Sequence, residues 1–271
     1  MHFVTYHTIA LILYIGLAAF FFYRLHRQQV TSGHYFLGLT AIATTLQAIG
    51  LYSGIFQAEG VDLSLSHMAS LVSLSVNAVV LASSWRKPLH SLFIFLLPLS
   101  IVVIASILFI ESMSASAQNS TSYLQLSVGM GLHVLLSIAA YSLLFAAVLQ
   151  ALLVSWQDHH LKNRQLSGIA QYLPPLQTME SLLFKFVWVG VVLLTIALIS
   201  GIYYIDNIFE QHLAHKTLLS LIAWAVFALL LYGRVTRGWR GNYAVRWVLG
   251  GFCVLMLAYF GSKLVLEVIL V

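Results

Sequence analysis

Charge is what this sequence has least of. Of 271 residues, 8% are Asp, Glu, Lys or Arg and 61% are apolar. A soluble domain carries roughly 25% charged residues, so this chain has too few to keep a soluble surface wet. Cysteine is reduced to Cys253, in an apolar run, which excludes an intramolecular disulfide. Proline is rare, and the Pro174-Pro175 pair argues against a continuous helix where it stands. The apolar stretches do not alternate with polar residues, which excludes a transmembrane barrel. There is no P-loop, no Ser-centred hydrolase motif, no HExxH and no paired-carboxylate arrangement, so no motif argues for an enzyme. No inverted pair of broken helices marks a secondary transporter, and sparse intramembrane charge argues against an ion-coupled pump.

What is present is length of apolar run. A helix needs about 20 apolar residues to cross a bilayer, and lipid leaves no partner for an unpaired backbone group. The expected fold is therefore all-α: a polytopic membrane protein, one integral membrane domain over 1–271. Eight spans fall at about 4–23, 34–56, 65–83, 89–110, 123–154, 182–203, 215–233 and 244–269. A connector at 155–181 holds Asp158, His159, His160, Lys162 and Arg164 before the Pro pair; its first part extends span five and the rest is an interfacial turn. The Ser-rich stretch 111–122 reads as a loop. No cleavable signal peptide is expected, because the first span runs into Arg24 and Arg27 without a small-residue cleavage site.

The net charge of +5 follows from basic residues in the short loops, where they set topology rather than bind nucleic acid. With the loop after span one in the cytoplasm, Arg24, Arg27, Arg86, Lys87, Lys162, Arg164, Lys185, Arg234, Arg237, Arg240 and Arg246 all fall inside. That is 11 of 13 Lys and Arg, leaving Lys216 and Lys263 outside. Both termini are then expected on the outer, periplasmic side of a bacterial inner membrane. Arg237, Trp239 and Arg240 are expected to anchor their loop at anionic lipid head groups.

Histidine carries most of the chemical promise, with 11 in the chain. His7, His67, His133, His212 and His215 fall in the outer half; His26, His34, His90, His159 and His160 fall inside, where interfacial placement accounts for them. His133 lies about ten residues into span five, below the outer surface. An imidazole at that depth needs a partner or a ligand. His215 starts span seven from the same side. Two imidazoles facing across an apolar slot suit axial ligation of haem iron; the pair also suits zinc or copper, although zinc usually takes three or four protein ligands. A hydrogen-bonded packing role for each His is the plain alternative. The adjoining loop is acidic through Asp206, Asn207 and Glu210, with Tyr203 and Tyr204 beside it. These tyrosines form either an aromatic belt or the rim of a site for a planar ligand. Lys216 pairs either with a loop carboxylate or with a haem propionate.

Several runs together carry a family resemblance: HVLLSIAAY (133–141), PPLQTME (174–180), HKTLLSLIAW (215–224), GWRG (238–241) and AYFG (258–261). On these the chain resembles the cytochrome c assembly family, and within it the eight-span branch of HemX-like and YpjD-like inner-membrane proteins. The resemblance implies haem handling at the outer membrane face, with haem b as cofactor. It implies His133 as one ligand and, more weakly, His215 as the second. Lys216 and Trp224 match the pattern by spacing, while Ala214 and His215 replace its Asp and Pro. The loop between Tyr203 and Lys216 has no Trp and is short. The expectation is therefore an accessory protein that binds haem near the outer leaflet without catalysing thioether attachment. Its implied partners are haem, cytochrome-assembly or haem-biosynthesis proteins and membrane lipid. The competing expectations are a haem-free scaffold or regulator of haem synthesis, acting through Asp158–Arg164 and the 234–241 loop, and a transporter of another small solute.

Overall fold

The computed structural model describes residues 2–27, 34–57, 60–84, 90–114, 127–163, 173–204 and 211–261. The described chain is helical: α1 (His2–His26), α2 (His34–Ile55), α3 (Leu65–Ser84), α4 (Phe93–Ser114), α5 (Val128–Lys162), α6 (Leu176–Tyr204), α7 (Gln211–Arg237) and α8 (Gly241–Met256). A π turn over Leu257–Gly261 continues α8. The one extended piece among the described residues is a two-residue antiparallel pairing between α2 and α3, Phe56–Gln57 with Gly60–Val61. Eight helices among the described residues are long and apolar enough to cross a membrane. Large apolar side chains on them face outwards: Ile12, Val102, Leu135, Ile199 and Tyr232 are all exposed. Water would penalise such a surface; lipid does not. The protein is an all-α, multi-pass membrane protein.

The helices gather into two compact units, α1–α4 and α5–α8. Inside the first unit the core is partly polar. Tyr14 donates to Gln47 Oε1 at 3.0 Å, and Gln47 Nε2 donates to Ser70 Oγ at 3.2 Å. Asn77 Nδ2 donates to Ser100 Oγ at 2.8 Å. These bonds join α1, α2, α3 and α4. Lipid tails give apolar helices no net drive to associate, so packing and interhelical hydrogen bonds hold the unit. At one end of it two histidines are sealed in: His7 is 0% and His67 8% exposed.

The second unit pairs α5 with α6 along most of their length. Leu144 occupies the notch at Gly190, where a Cβ would come within 2.8 Å of it. Ser127 caps α5 at Val128 by accepting from Met130 N–H at 3.3 Å. The helix runs on for 35 residues, about 52 Å, well past the ~30 Å hydrocarbon thickness. Its last turns carry the polar side chains Asp158, His159, His160 and Lys162. There Gln157 Nε2 donates to the Pro174 carbonyl at 3.0 Å, tying α5 to the segment that enters α6.

Candidate functional site

His133 sits in the second turn of α5, half-buried, against the last turns of α6. Its Nδ1 lies 2.9 Å from the Ala197 carbonyl and 3.1 Å from Ser200 Oγ. A carbonyl can only accept, so Nδ1 carries the proton. Ser200 gives its own hydroxyl hydrogen to the same carbonyl at 2.8 Å, leaving its oxygen as a second acceptor for the imidazole N–H. In the neutral ring the lone pair then belongs to Nε2. Histidines that ligate metals are typically held in this way, the second nitrogen donating to a carbonyl or carboxylate.

Two glycines let the helices come close enough for this contact. A Cβ on Gly201 would lie 2.9 Å from His133 Cε1, and one on Gly129 would overlap the Tyr204 ring. The seam between α5 and α6 thus holds His133 and Tyr204 one turn apart, each seated on a glycine of the opposite helix. Tyr203 is 79% exposed, and its ring meets Tyr204 edge-on at 5.1 Å. On α7, Trp224 Nε1 donates to Thr195 Oγ1 of α6 at 2.8 Å. Lys216 lies half-buried near the start of that helix. The backbone of His215 is helical, but its side chain, like Asp206, Asn207 and Glu210, lies outside the described residues. Of the five expected site residues the described structure therefore brings His133 and Tyr204 onto one seam, with Tyr203 beside it. The expectation for the His133–His215 pair falls outside what is described.

Ser200, Ala197, Gly201 and Gly129 line this seam, and the sequence did not single them out. Their only signal is that they are small residues near the end of α6 and the start of α5, a pattern common in membrane spans. Among the described residues, no group of three or more His, Cys, Asp or Glu side chains is arranged to hold a metal ion. Elsewhere, His160 Nδ1 donates to Trp156 O at 2.9 Å within α5, and His159 contacts Asn163 at 3.0 Å.

At the opposite end of the second unit the conspicuous sequence motifs meet. Glu180 of PPLQTME accepts the Gly241 N–H of GWRG at 2.8 Å, satisfying a first-turn donor of α8. Gly238 and Gly241 both adopt positive φ, +66° and +61°, where a side chain would be strained. Trp239 folds its ring onto Gly233, where a Cβ would overlap it. Away from that end, eight residues after His133 on α5, Tyr141 of HVLLSIAAY donates to the Leu255 carbonyl of α8 at 2.6 Å, just before the π turn that carries AYFG.

The family model described as cytochrome C assembly protein matches residues 61–270. The inner membrane protein YpjD of Escherichia coli K12 is 37% identical over 233 residues, covering 84% of this chain and 85% of the relative. The cytochrome c biogenesis protein CcsA of Trichormus variabilis is 31% identical over 96 residues, 35% of this chain and 27% of that protein. A 28.8 kDa protein of Azospirillum brasilense is 31% identical over 141 residues, about half of each chain. No solved structure matches. Eight spanning helices and the likeness to an inner membrane protein make this a multi-pass protein of the inner membrane. By a family match over most of its length and by its likeness to YpjD over 84% of the chain, the chain belongs to the cytochrome c assembly protein family.

Proposed function

We propose that the protein is a haem-handling accessory of cytochrome c assembly, and that it binds haem b through His133 without itself attaching it. The observation that carries this is the Nδ1–H donated by His133 to the Ala197 carbonyl, which leaves Nε2 as the basic nitrogen of a half-buried imidazole. That nitrogen suits haem iron, for which a neutral imidazole is a common axial ligand. The ring is fixed by two acceptors and a glycine notch, so little rotamer freedom remains to be lost on ligation. His215 is proposed as the second axial ligand, Tyr203 and Tyr204 as the aromatic rim, and Lys216 as the propionate partner. Bound haem would supply an iron centre and a broad apolar face; the chain supplies position and a dry seam.

The absence of Trp between Tyr203 and Lys216 supports binding rather than thioether attachment. The basic loops support an orientation with both termini on the outer side, which puts His133 near the outer leaflet. The CcsA relatives are named for cytochrome c biogenesis, and a role beside such proteins is the corresponding proposal for this chain.

The test is an optical spectrum of the detergent-purified protein, oxidised and reduced, with substoichiometric haem added, beside His133→Ala and His215→Ala. A low-spin spectrum that is lost or turned high-spin in either variant supports two-His ligation. No saturable binding by folded wild type removes the haem reading in favour of a scaffold or regulator of haem synthesis.

A further inference from the structure

The corner between α7 and α8 has no part in the haem reading, yet it is built with care. The Trp239 N–H donates to the Gly233 carbonyl at 3.2 Å, and Arg234 Nη1 donates to the Trp239 carbonyl at 3.1 Å. The Arg234 guanidinium lies 4.5 Å from the Phe184 ring centroid. Asn242 donates to Asp158 Oδ2 at 3.0 Å and accepts from Ser155 at 3.2 Å. Both nearby carboxylates are thus engaged: Glu180 by the Gly241 N–H, and Asp158 by Asn242 and, at 2.6 Å, by Lys162.

Three arginines remain over. Arg237, Arg240 and Arg246 are all exposed, and among the described residues none of them forms an ion pair. They fall within ten residues of chain on a corner that cannot flex freely. The arginines at the end of α1 and just after it are placed differently. Arg24 and Arg27 lie over the rings of Phe20 and Tyr23, at 5.1 Å and 5.5 Å.

Beside the three arginines stands an aromatic wall. Trp239 stacks on Trp247 at 5.3 Å and meets Tyr243 edge-on at 4.6 Å. Below the wall, Tyr243, Arg246, Gly250 and Cys253 follow one exposed face of α8 at helical spacing. A Cβ on Gly250 would meet nothing within 4 Å, so that face is shallow beneath Arg246. Guanidinium groups match phosphate oxygens in bidentate fashion, while Trp and Tyr favour the head-group layer. Uncompensated cations at membrane level next to such a wall call for an anion with an apolar tail.

We propose that this corner is a binding site for the phosphodiester head group of an anionic phospholipid. Arg237, Arg240 and Arg246 supply its charge, Trp239, Tyr243 and Trp247 flank the glycerol, and the α8 face at Gly250 takes the upper acyl chain. The site is independent of haem.

The experiment uses the full-length protein in mixed micelles. Phosphatidylglycerol or phosphatidylcholine with brominated acyl chains is titrated in, and quenching of tryptophan fluorescence is followed. The wild type is expected to bind phosphatidylglycerol more tightly than phosphatidylcholine, with an affinity that falls as salt is raised. At about fivefold per arginine, the Arg237→Gln/Arg240→Gln/Arg246→Gln variant should lose about a hundredfold of that preference. The Arg24→Gln/Arg27→Gln control should keep it. If the triple variant does not fold, as judged by circular dichroism and gel filtration, Arg246→Gln alone carries the test, with a loss of severalfold expected. The proposal is overturned if wild type binds both lipids equally or if the arginine variants retain the preference. It is also overturned if millimolar inorganic phosphate displaces the lipid completely, which would mark a free-anion site. An acidic protein that holds the corner and blocks lipid would overturn it likewise.

Discussion

His133 in the second unit and His67 in the first are both held through Nδ1, yet they are held to different ends. His67 bonds within its own segment, to Ser64 Oγ at 2.7 Å with Asp62 Oδ2 at 3.3 Å, and is 8% exposed. Its neighbour His7 gives Nδ1–H to Phe3 O at 3.0 Å in its own helix, and is fully buried. The rings of Phe3 and His7 lie 4.4 Å apart, and both histidines crowd the glycines of α2. His133 instead reaches across to another helix, to a carbonyl 64 residues away, and remains half-buried. Depth in a span does not distinguish these imidazoles. What distinguishes them is who supplies the acceptor and how deeply the rest of the ring is sealed. The first unit uses histidine to close a helix bundle, and the second presents one.

The sharpest break of this contrast is His133→Ala against His67→Ala. Removing His133 should weaken haem binding about a hundredfold or more, the scale of losing a metal ligand or its fixed partner. His67→Ala should leave haem affinity within about twofold, read from titrations followed at the Soret band. If both variants lose haem equally, the distinction between presented and packed histidines fails.

Gly201→Leu comes next. Any Cβ there meets the imidazole at 2.9 Å, and a branched side chain must displace it. The expected loss is about tenfold in haem affinity, with a spectrum shifted toward high spin. Thermal unfolding of the haem-free protein, followed by circular dichroism, shows whether the helices have parted instead.

On the first unit, Asp62→Asn and His67→Ala should act on stability alone. Loss of a buried polar partner costs about 1–3 kcal/mol, measured as a lower midpoint in detergent-denaturant titration. An unchanged midpoint would mean that the Asp62–His67 contact is not part of what holds the start of α3.

The smallest effect belongs to Ser200→Ala. The Ala197 carbonyl stays as the main acceptor, so haem affinity should drop only about twofold to threefold. The reduced-minus-oxidised spectrum should shift slightly as the imidazole loses one partner. A loss as large as that of His133→Ala would make Ser200, rather than the carbonyl, the residue that orients the ring.

The number of helices was legible because it depends on run length against bilayer thickness, a local property. The start of α5 at Val128 was legible in principle from Ser127, a capping residue ahead of an apolar run. The GWRG run could be recognised but not explained. Its glycines matter because the corner needs positive φ twice, while Trp239 lies on Gly233 and Glu180 reaches Gly241 from a helix 61 residues earlier. The acceptor of His133 was hidden for the same reason. Ala197 and Ser200 look like any small residues of a membrane helix until α5 is laid against α6.

By itself the sequence determined that the chain lives in a membrane, that it crosses as helices, and which few polar groups it carries there. Those follow from the cost of placing charge and unpaired backbone in lipid, which no packing arrangement can change. Which imidazole is sealed and which is presented was decided only in three dimensions. A hydrogen bond of 2.9 Å between residues 64 apart depends on the rotation and closeness of two helices, and a pair of glycines sets both.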